Sequence, residues 1–174
     1  TGHIGSYLIR DLATQFPGAN IIMIDNMMTQ RFSSLFNLPK TAKYRFIEGD
    51  VKNLDLISIF KNVDIVVHLA AQAGVRYSIE EPEKYLSTNI VGSFNLLKRS
   101  VDNEVEHFMF SSTSSAYGAN TEMPFKELDN INTPLSFYAA TKKSNEVMAH
   151  SYSHIFDIPI TVFRFFTVYG TWGR

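Results

Sequence analysis

The chain has 174 residues, of which 45% are hydrophobic, 13% aromatic and 19% charged. This excludes a disordered, collagen-like or low-complexity polypeptide and suits one ordinary folded domain, which takes roughly 100–200 residues. Sixteen basic and 17 acidic residues leave a net charge of −1, so no basic excess points to nucleic acid or to a membrane surface. Cysteine is absent, which removes disulfides and thiolate metal sites, and no metal is expected. No stretch reaches the ~20 apolar residues of a membrane span. No signal peptide is visible, which reads as a cytoplasmic protein; the chain starts at Thr1 rather than Met, so a leader upstream of it would not be seen.

In chain order, short β-branched runs alternate with stretches of helical period. A helix is predicted over His3–Gln15, ended by Phe16-Pro17-Gly18 because Pro cannot continue it and Gly tolerates the exit turn. Strands follow at Ala19–Asp25 and Tyr44–Glu48, a helix at Leu54–Phe60 and a strand at Val63–Leu69. A long helix is expected over Pro82–Asn103, with Leu86, Ile90, Phe94 and Leu97 as its buried stripe. Then come a strand at His107–Ser111, a helix over Leu135–Ile155 opened by Thr133 as N-cap and Pro134 as first residue, and a strand at Ile158–Phe163. Strands this uncharged are expected when helices cover both faces of a parallel sheet. The pattern is that of an α/β, doubly wound parallel sheet.

In such a sheet, ligands sit outside the carboxyl ends of the strands, so the residues there carry the functional reading. Gly2 and Gly5, three apart at a helix start, would let a backbone approach a pyrophosphate, with the helix N-terminus facing it. Asp25 follows Gly5 by 20 residues at a strand end, where an acid accepts the ribose hydroxyls of a dinucleotide and repels a 2′-phosphate, favouring NAD. Asp50 after the second strand is placed to meet an adenine amino group. His68 is expected to pack at the end of the third strand rather than act as a base. Ser111–Ser115 is a run of five hydroxyls at a strand exit, a position where a solvated loop would be the ordinary explanation.

Tyr138 and Lys142 lie four apart on one face of the last predicted helix. A tyrosine, with pKa near ~10, is a poor base at neutral pH; a neighbouring ammonium favours the phenolate and lowers it. The phenolate can take a proton from a substrate alcohol as hydride leaves. Chance supplies such a pair often, so its weight comes from its place in the order: glycine turn, Asp25, Asp50, hydroxyl run, Tyr/Lys.

Taken together, TGHIGS, Asp25-Asn26, Gly49-Asp50-Val51, HLAAQAGVRYS, the helix carrying Asn89, FSSTSSAYG, YAATK and RFFTVYG resemble the extended short-chain dehydrogenase/reductases, the nucleotide-sugar epimerases and dehydratases. The resemblance spans the whole chain. It implies a Rossmann-like lobe binding NAD and a smaller C-terminal lobe closing over a UDP-sugar. It places Gly2, His3, Ile4 and Gly5 in the pyrophosphate turn, Asp25 and Asn26 on the ribose, and Asp50 and Val51 on the adenine. Leu69, Ala70, Ala71, Gln72 and Asn89 are implied to line the cofactor, with Phe166 near the nicotinamide. Thr113, Tyr138 and Lys142 match the catalytic Ser/Thr, the base and its partner, the last two also contacting the cofactor. Arg76, Thr113, Ser114, Thr167 and Arg174 are implied on the substrate.

Sugar dehydratases of this family carry an Asp-Glu pair where Ser114 and Ser115 stand, which argues against dehydration. AAQAGVRYS and RFFTVYG resemble the UDP-glucuronate 4-epimerases most, with Arg174 set to grip the uronate carboxylate bidentately. His3, Ala116 and Thr171 depart from the usual residues of the family. The implied reaction is 4-epimerisation of UDP-glucuronate to UDP-galacturonate through a 4-keto intermediate. UDP-glucose 4-epimerase, UDP-glucuronate decarboxylase and a non-enzymatic NAD sensor are the alternatives. By analogy alone, the helices from Pro82 and Leu135 would form a homodimer contact. Family members are nearly twice as long, so residues 1–174 read as one partial NAD-binding domain, with a first strand and the substrate lobe expected beyond the two ends.

Overall fold

The computed structural model describes residues 1–120 and 122–171. Their elements are α1 (His3–Gln15), β1 (Asn20–Asp25), β2 (Lys43–Glu48), β3 (Ile65–His68), α2 (Tyr77–Glu80), α3 (Pro82–Tyr85), a π-helical segment (Leu86–Gly92), α4 (Ser93–Asp102), β4 (His107–Thr113), α5 (Phe137–Phe156) and β5 (Ile160–Phe165). Short 3-10 turns stand at Phe32–Leu35 and Ser114–Tyr117. The expected α/β architecture with parallel strands is what the chain adopts. None of its described helices is long and apolar enough to cross a membrane.

The chain forms two compact units, Thr1–Leu54 with the chain from Thr167 onward, and Asp55–Phe166. In the first, β1 and β2 pair in parallel from Asn20↔Lys43 to Asp25↔Glu48. The apolar face of α1 supplies Ile9 and Ala13 to its core, with Met23, Met27 and Val51. Arg10 ties α1 to the loop after β1, donating from Nη1 to the Ser34 carbonyl at 3.0 Å and from Nη2 to the Phe36 carbonyl at 2.8 Å.

The second unit has a three-stranded parallel sheet in the order β3-β4-β5. Parallel neighbours need crossovers, which the helices provide. Phe108 and Phe110 of the central strand are each 2% exposed, packed with Leu96 and Leu97 of α4 and Ala149 of α5 forming the same core.

Three expectations need correction. Leu54–Phe60 is a run of turns: the Asp55 carboxylate accepts from the Ile57 N–H, and a single helical bond, Phe60 N–H to Leu56 carbonyl, is too little to offset helix nucleation. The last helix starts at Phe137, not Leu135, and its N-cap is Ser136, whose hydroxyl accepts from the Ala139 N–H at 3.1 Å. Thr133 is held elsewhere, with its carbonyl receiving the Ala119 N–H. Gly118, at φ +59°, is what lets that segment approach, because a Cβ there would stand 2.0 Å from the Thr133 oxygen. Finally, the Pro82–Asp102 run buries Tyr85, Asn89, Ser93, Leu96, Leu97 and Ser100, whereas Leu86 and Phe94 are exposed. The π-helical segment, with its wider turn, sits where the predicted stripe would have had to keep its phase.

Candidate active site

The first unit brings Asp25, Asn26 and Asp50 together at the carboxyl ends of β1 and β2. The Asn26 amide donates to Asp50 at 3.2 Å, and the Lys52 N–H donates to the other Asp50 oxygen at 3.0 Å. The Asp25 carboxylate receives the Thr1 hydroxyl on one oxygen and the Met27 N–H on the other. Burial raises the Asp25 pKa, whereas the Thr1 hydroxyl and the Met27 N–H, both donating to the carboxylate, favour its charged form. Asp50 lies below its ordinary value, burial being overcome by the Lys52 N–H, the Asn26 amide and the Lys52 ammonium. Both are therefore carboxylates at neutral pH, each with acceptor capacity left for further donors.

Gly2 caps α1 in an extended conformation, without a side-chain cap. The N–H groups of the first turn thus have no intrahelical partner. A Cβ on Gly2 would meet no protein atom within 4 Å, so this backbone has open space in front of it. His3, Ile4 and Gly5 follow in that first turn, and Val51 is buried at 7% exposure.

The second unit carries the hydroxyl and Tyr/Lys groups. Leu69–Gln72 leave the end of β3, with Ala70 exposed. Asn89, expected to line the cofactor, is instead fully buried: its amide accepts from the Gln72 N–H at 2.8 Å and donates to the Gln72 carbonyl at 3.0 Å. It also donates to the Thr141 hydroxyl at 3.1 Å. It shapes the loop after β3 from behind. Arg76 is exposed at the start of α2.

Thr113 ends β4, its hydroxyl accepting the Ser115 N–H at 3.2 Å, and Ser114 begins the 3-10 turn that follows. Tyr138 lies in the first turn of α5, its N–H donating to Ser78 and its ring edge-on to buried Tyr85 at 6.1 Å. Burial raises the Tyr138 hydroxyl above its ordinary pKa, and a hydrogen bond with Thr113 offsets only part of this. The lowering expected from Lys142 is not what this state has. The Lys142 ammonium is 2% exposed and donates instead to the Ser111 carbonyl at 2.7 Å. Burial pulls it down to about 8, and Glu146 works against that.

His68 is buried, shares a hydrogen bond with the Ser93 hydroxyl at 2.8 Å, and is pushed down to about 3 by burial and by Lys142. It is neutral and packed, as expected, not poised as a base. Phe166 is 58% exposed and forms an aromatic group with Tyr117 and Phe125, whose rings stack at 4.6 Å. Thr167 is exposed in the first unit; Arg174 lies outside the described residues. Sequence reasoning missed Ser78, Tyr85, Thr141, Glu146 and Arg164. Glu146 alone had a local signal, standing one more helical turn beyond Tyr138 and Lys142.

The sequence profile of the family described as GDP-mannose 4,6 dehydratase matches residues 1–173. The chain belongs to this family, within the extended short-chain dehydrogenase/reductases. UDP-glucuronate 4-epimerase 3 of Arabidopsis thaliana is a family relative 48% identical over 181 residues, covering 99% of this chain and 42% of that protein. Among solved structures, UDP-glucuronic acid 4-epimerase from Bacillus cereus, in complex with UDP-glucuronic acid and NAD, superposes with a TM-score of 0.88 at 34% identity. It covers 97% of this chain and 55% of that one. UDP-N-acetylglucosamine 4-epimerase from Methanobrevibacter ruminantium, in complex with UDP-N-acetylmuramic acid, superposes with a TM-score of 0.89 at 34% identity, covering 97% and 53%. The chain spans about half, or less, of the length of the curated relatives it matches.

Proposed function

We propose that the protein carrying this chain is an NAD-dependent nucleotide-sugar 4-epimerase whose substrate is UDP-glucuronate and whose product is UDP-galacturonate. The observation that carries the reading is the grouping of Thr113, Tyr138 and Lys142 at the end of β4 and the start of α5, in a fold shared with enzymes of that name. NAD fits the residues present. Gly2 leaves its backbone approachable, the first turn of α1 has N–H groups without an intrahelical partner, and Asp25 keeps acceptor capacity for ribose hydroxyls.

NAD, when bound, supplies the hydride acceptor and the return donor. The chain's own residues handle the proton and the orientation. Tyr138 takes the proton of the sugar's 4-hydroxyl and gives it back. Thr113, already within hydrogen-bonding reach of Tyr138, holds that oxygen. Lys142 keeps a positive charge in a buried place, which favours the phenolate once its ammonium turns from Ser111 toward the reacting groups. Because hydride leaves and returns, net redox is zero. Ser114 and Ser115 offer no acid–base pair for eliminating water, which favours epimerisation over the reaction in the family's name.

The uronate assignment rests on Arg174 and Thr167, a guanidinium and a hydroxyl suited to a carboxylate. The residues of the long helical run left exposed, Leu86, Val91 and Phe94, with Val147 of α5, support a homodimer built on these two helices. The test is a product assay on the full-length protein with UDP-glucuronate and NAD. UDP-galacturonate is expected. UDP-xylose as product, or turnover of UDP-glucose alone, would replace the reading with a decarboxylase or a UDP-glucose 4-epimerase. Unchanged uronate turnover in Arg174→Ala would remove the uronate assignment.

A further inference from the structure

The proposed reaction uses Thr113 but gives no task to the residue before it. Ser112 is 3% exposed, and its hydroxyl donates to a carboxylate oxygen of Glu146. Glu146 stands on α5 one turn beyond Lys142, so Tyr138, Lys142 and Glu146 follow at i, i+4 and i+8 on one helix face. The same carboxylate receives Arg164 of β5, from Nη2 at 2.9 Å and from Nε at 3.2 Å to both oxygens. Arg164 is fixed in turn: Nη1 donates to the Glu127 carbonyl at 3.0 Å, and the guanidinium lies 5.1 Å from the centre of the Tyr117 ring. The ion pair is largely shielded, with side-chain exposures of 19% for Arg164 and 10% for Glu146. One carboxylate therefore ties α5 to both β4 and β5, beside the point where Lys142 meets the Ser111 carbonyl.

We propose that Glu146 is a positioning residue for the reaction. By bridging Ser112 and Arg164 it fixes α5 against the ends of β4 and β5, and so sets where the Tyr138 hydroxyl and the Lys142 ammonium stand relative to Thr113. The proposal rests on the roles given to those three residues above. Its physical basis is twofold. A misplacement of about 1 Å in reacting groups can cost up to ~10²-fold in rate, and this bridge is a link that sets the helix register at that scale. In addition, the negative charge of Glu146 helps keep Lys142 charged against the effect of burial. The other titratable groups facing this region are Tyr85 of α3 beside Tyr138, neutral His68 of β3 beside Lys142, and Tyr117 beside Arg164.

A buried ion pair can also be a purely structural feature, so the test separates the two. In the full-length protein, Ser112→Ala deletes one hydroxyl and leaves the Glu146–Arg164 pair intact, which keeps the fold. Glu146→Gln keeps the shape and removes the charge. Two readouts are taken: kcat and KM for UDP-glucuronate, and the ultraviolet titration of the Tyr138 phenol with NAD bound, identified by its loss in Tyr138→Phe. Ser112→Ala is expected to lower kcat on the order of tenfold with KM within about twofold. Glu146→Gln is expected to shift the phenol titration from its wild-type position. Wild-type kcat in Ser112→Ala together with a wild-type titration in Glu146→Gln would overturn the proposal, as would wild-type behaviour of Ser112→Ala if Glu146→Gln fails to fold. If the unsubstituted protein turns over no nucleotide sugar while the titration still shifts, the epimerase reading falls and the positioning role stands.

Discussion

Lys142 is an ammonium at neutral pH held in a place that penalises charge. It is 2% exposed, and what it has in return is the Ser111 carbonyl, the face of the Phe110 ring at 5.7 Å and the more distant charge of Glu146. Burial therefore lowers its pKa from 10.5 to about 8. Below about pH 8 both the folded and unfolded chains carry the proton, and the folded state bears the whole cost. Between about 8 and 10.5 the folded state releases it first, so stability from this group rises with pH. A fold selected for stability alone would have no reason to keep such a group, which points to its chemistry. Lys142→Met is accordingly expected to be no less stable than the original at pH 7, with the difference shrinking above pH 8, while kcat falls by about 10² or more. Urea unfolding at pH 7 and pH 9, set beside an epimerase assay, checks both halves. Loss of stability at pH 7 would show that the Ser111 hydrogen bond outweighs the desolvation.

At the scale of elements, the run from Pro82 to Asp102 shows what a sequence can and cannot reveal. Its extent follows from composition and period, just as α1 was legible over His3–Gln15 from its period, its preceding glycine and the Phe16-Pro17-Gly18 exit. The strands found at Asn20–Asp25, Lys43–Glu48 and His107–Thr113 were legible, as Ala19–Asp25, Tyr44–Glu48 and His107–Ser111, from short runs with few charges inside that end at acids or hydroxyls. The buried face of the long run was not, because burial there is decided by partners far along the chain. Asn89 is buried by Gln72 and Thr141, Ser93 by His68 and Asn145, and none of these pairings leaves a periodic apolar trace. The same holds for Ser112 and Glu146, 34 residues apart, and for the N-cap of α5, displaced to Ser136 by the approach of Thr133 to Gly118. The candidate site was legible as motif residues, Asp25, Asp50, Thr113, Tyr138 and Lys142, but not the polar contacts that hold them. The Asn89 clamp gives a direct test. Asn89→Ala leaves the Gln72 N–H and carbonyl and the Thr141 hydroxyl to find other partners inside the fold, at a cost of about 2–4 kcal/mol. Denaturant unfolding should register that loss, and hydrogen exchange at Gln72 should accelerate more than exchange in β4.

Over the whole molecule, the groups shifted most in pKa lie in the unit formed by Asp55–Phe166, where the three-stranded sheet buries both Lys142 and His68. For His68 the two causes act together: burial penalises the imidazolium, and the neighbouring Lys142 charge repels it, pushing the pKa from 6.5 to about 3. The folded chain thus holds a neutral ring hydrogen-bonded to Ser93, while the unfolded chain takes up a proton below pH 6.5. Between pH 6.5 and about 3 the unfolded state binds more protons, so stability falls as the pH falls. At pH 5 this single group accounts for about 2 kcal/mol. Asp50 also makes the fold acid-sensitive, because its folded pKa lies below 3.8. Its contribution, however, is lost only as the pH drops through and below that value. The two windows overlap only at their edge: the loss between pH 6.5 and about 4 belongs to His68, and below about 4 the Asp50 carboxylate adds its own to the last of the imidazole's. Replacing the imidazole by an uncharged side chain that can still reach Ser93, as in His68→Gln, should flatten the upper window and leave the lower one in place. Urea midpoints measured at pH 7, 5 and 3.5 would show this as a smaller drop between the first two values than in the unsubstituted protein. An equal drop in both proteins would place the acid sensitivity elsewhere in the molecule.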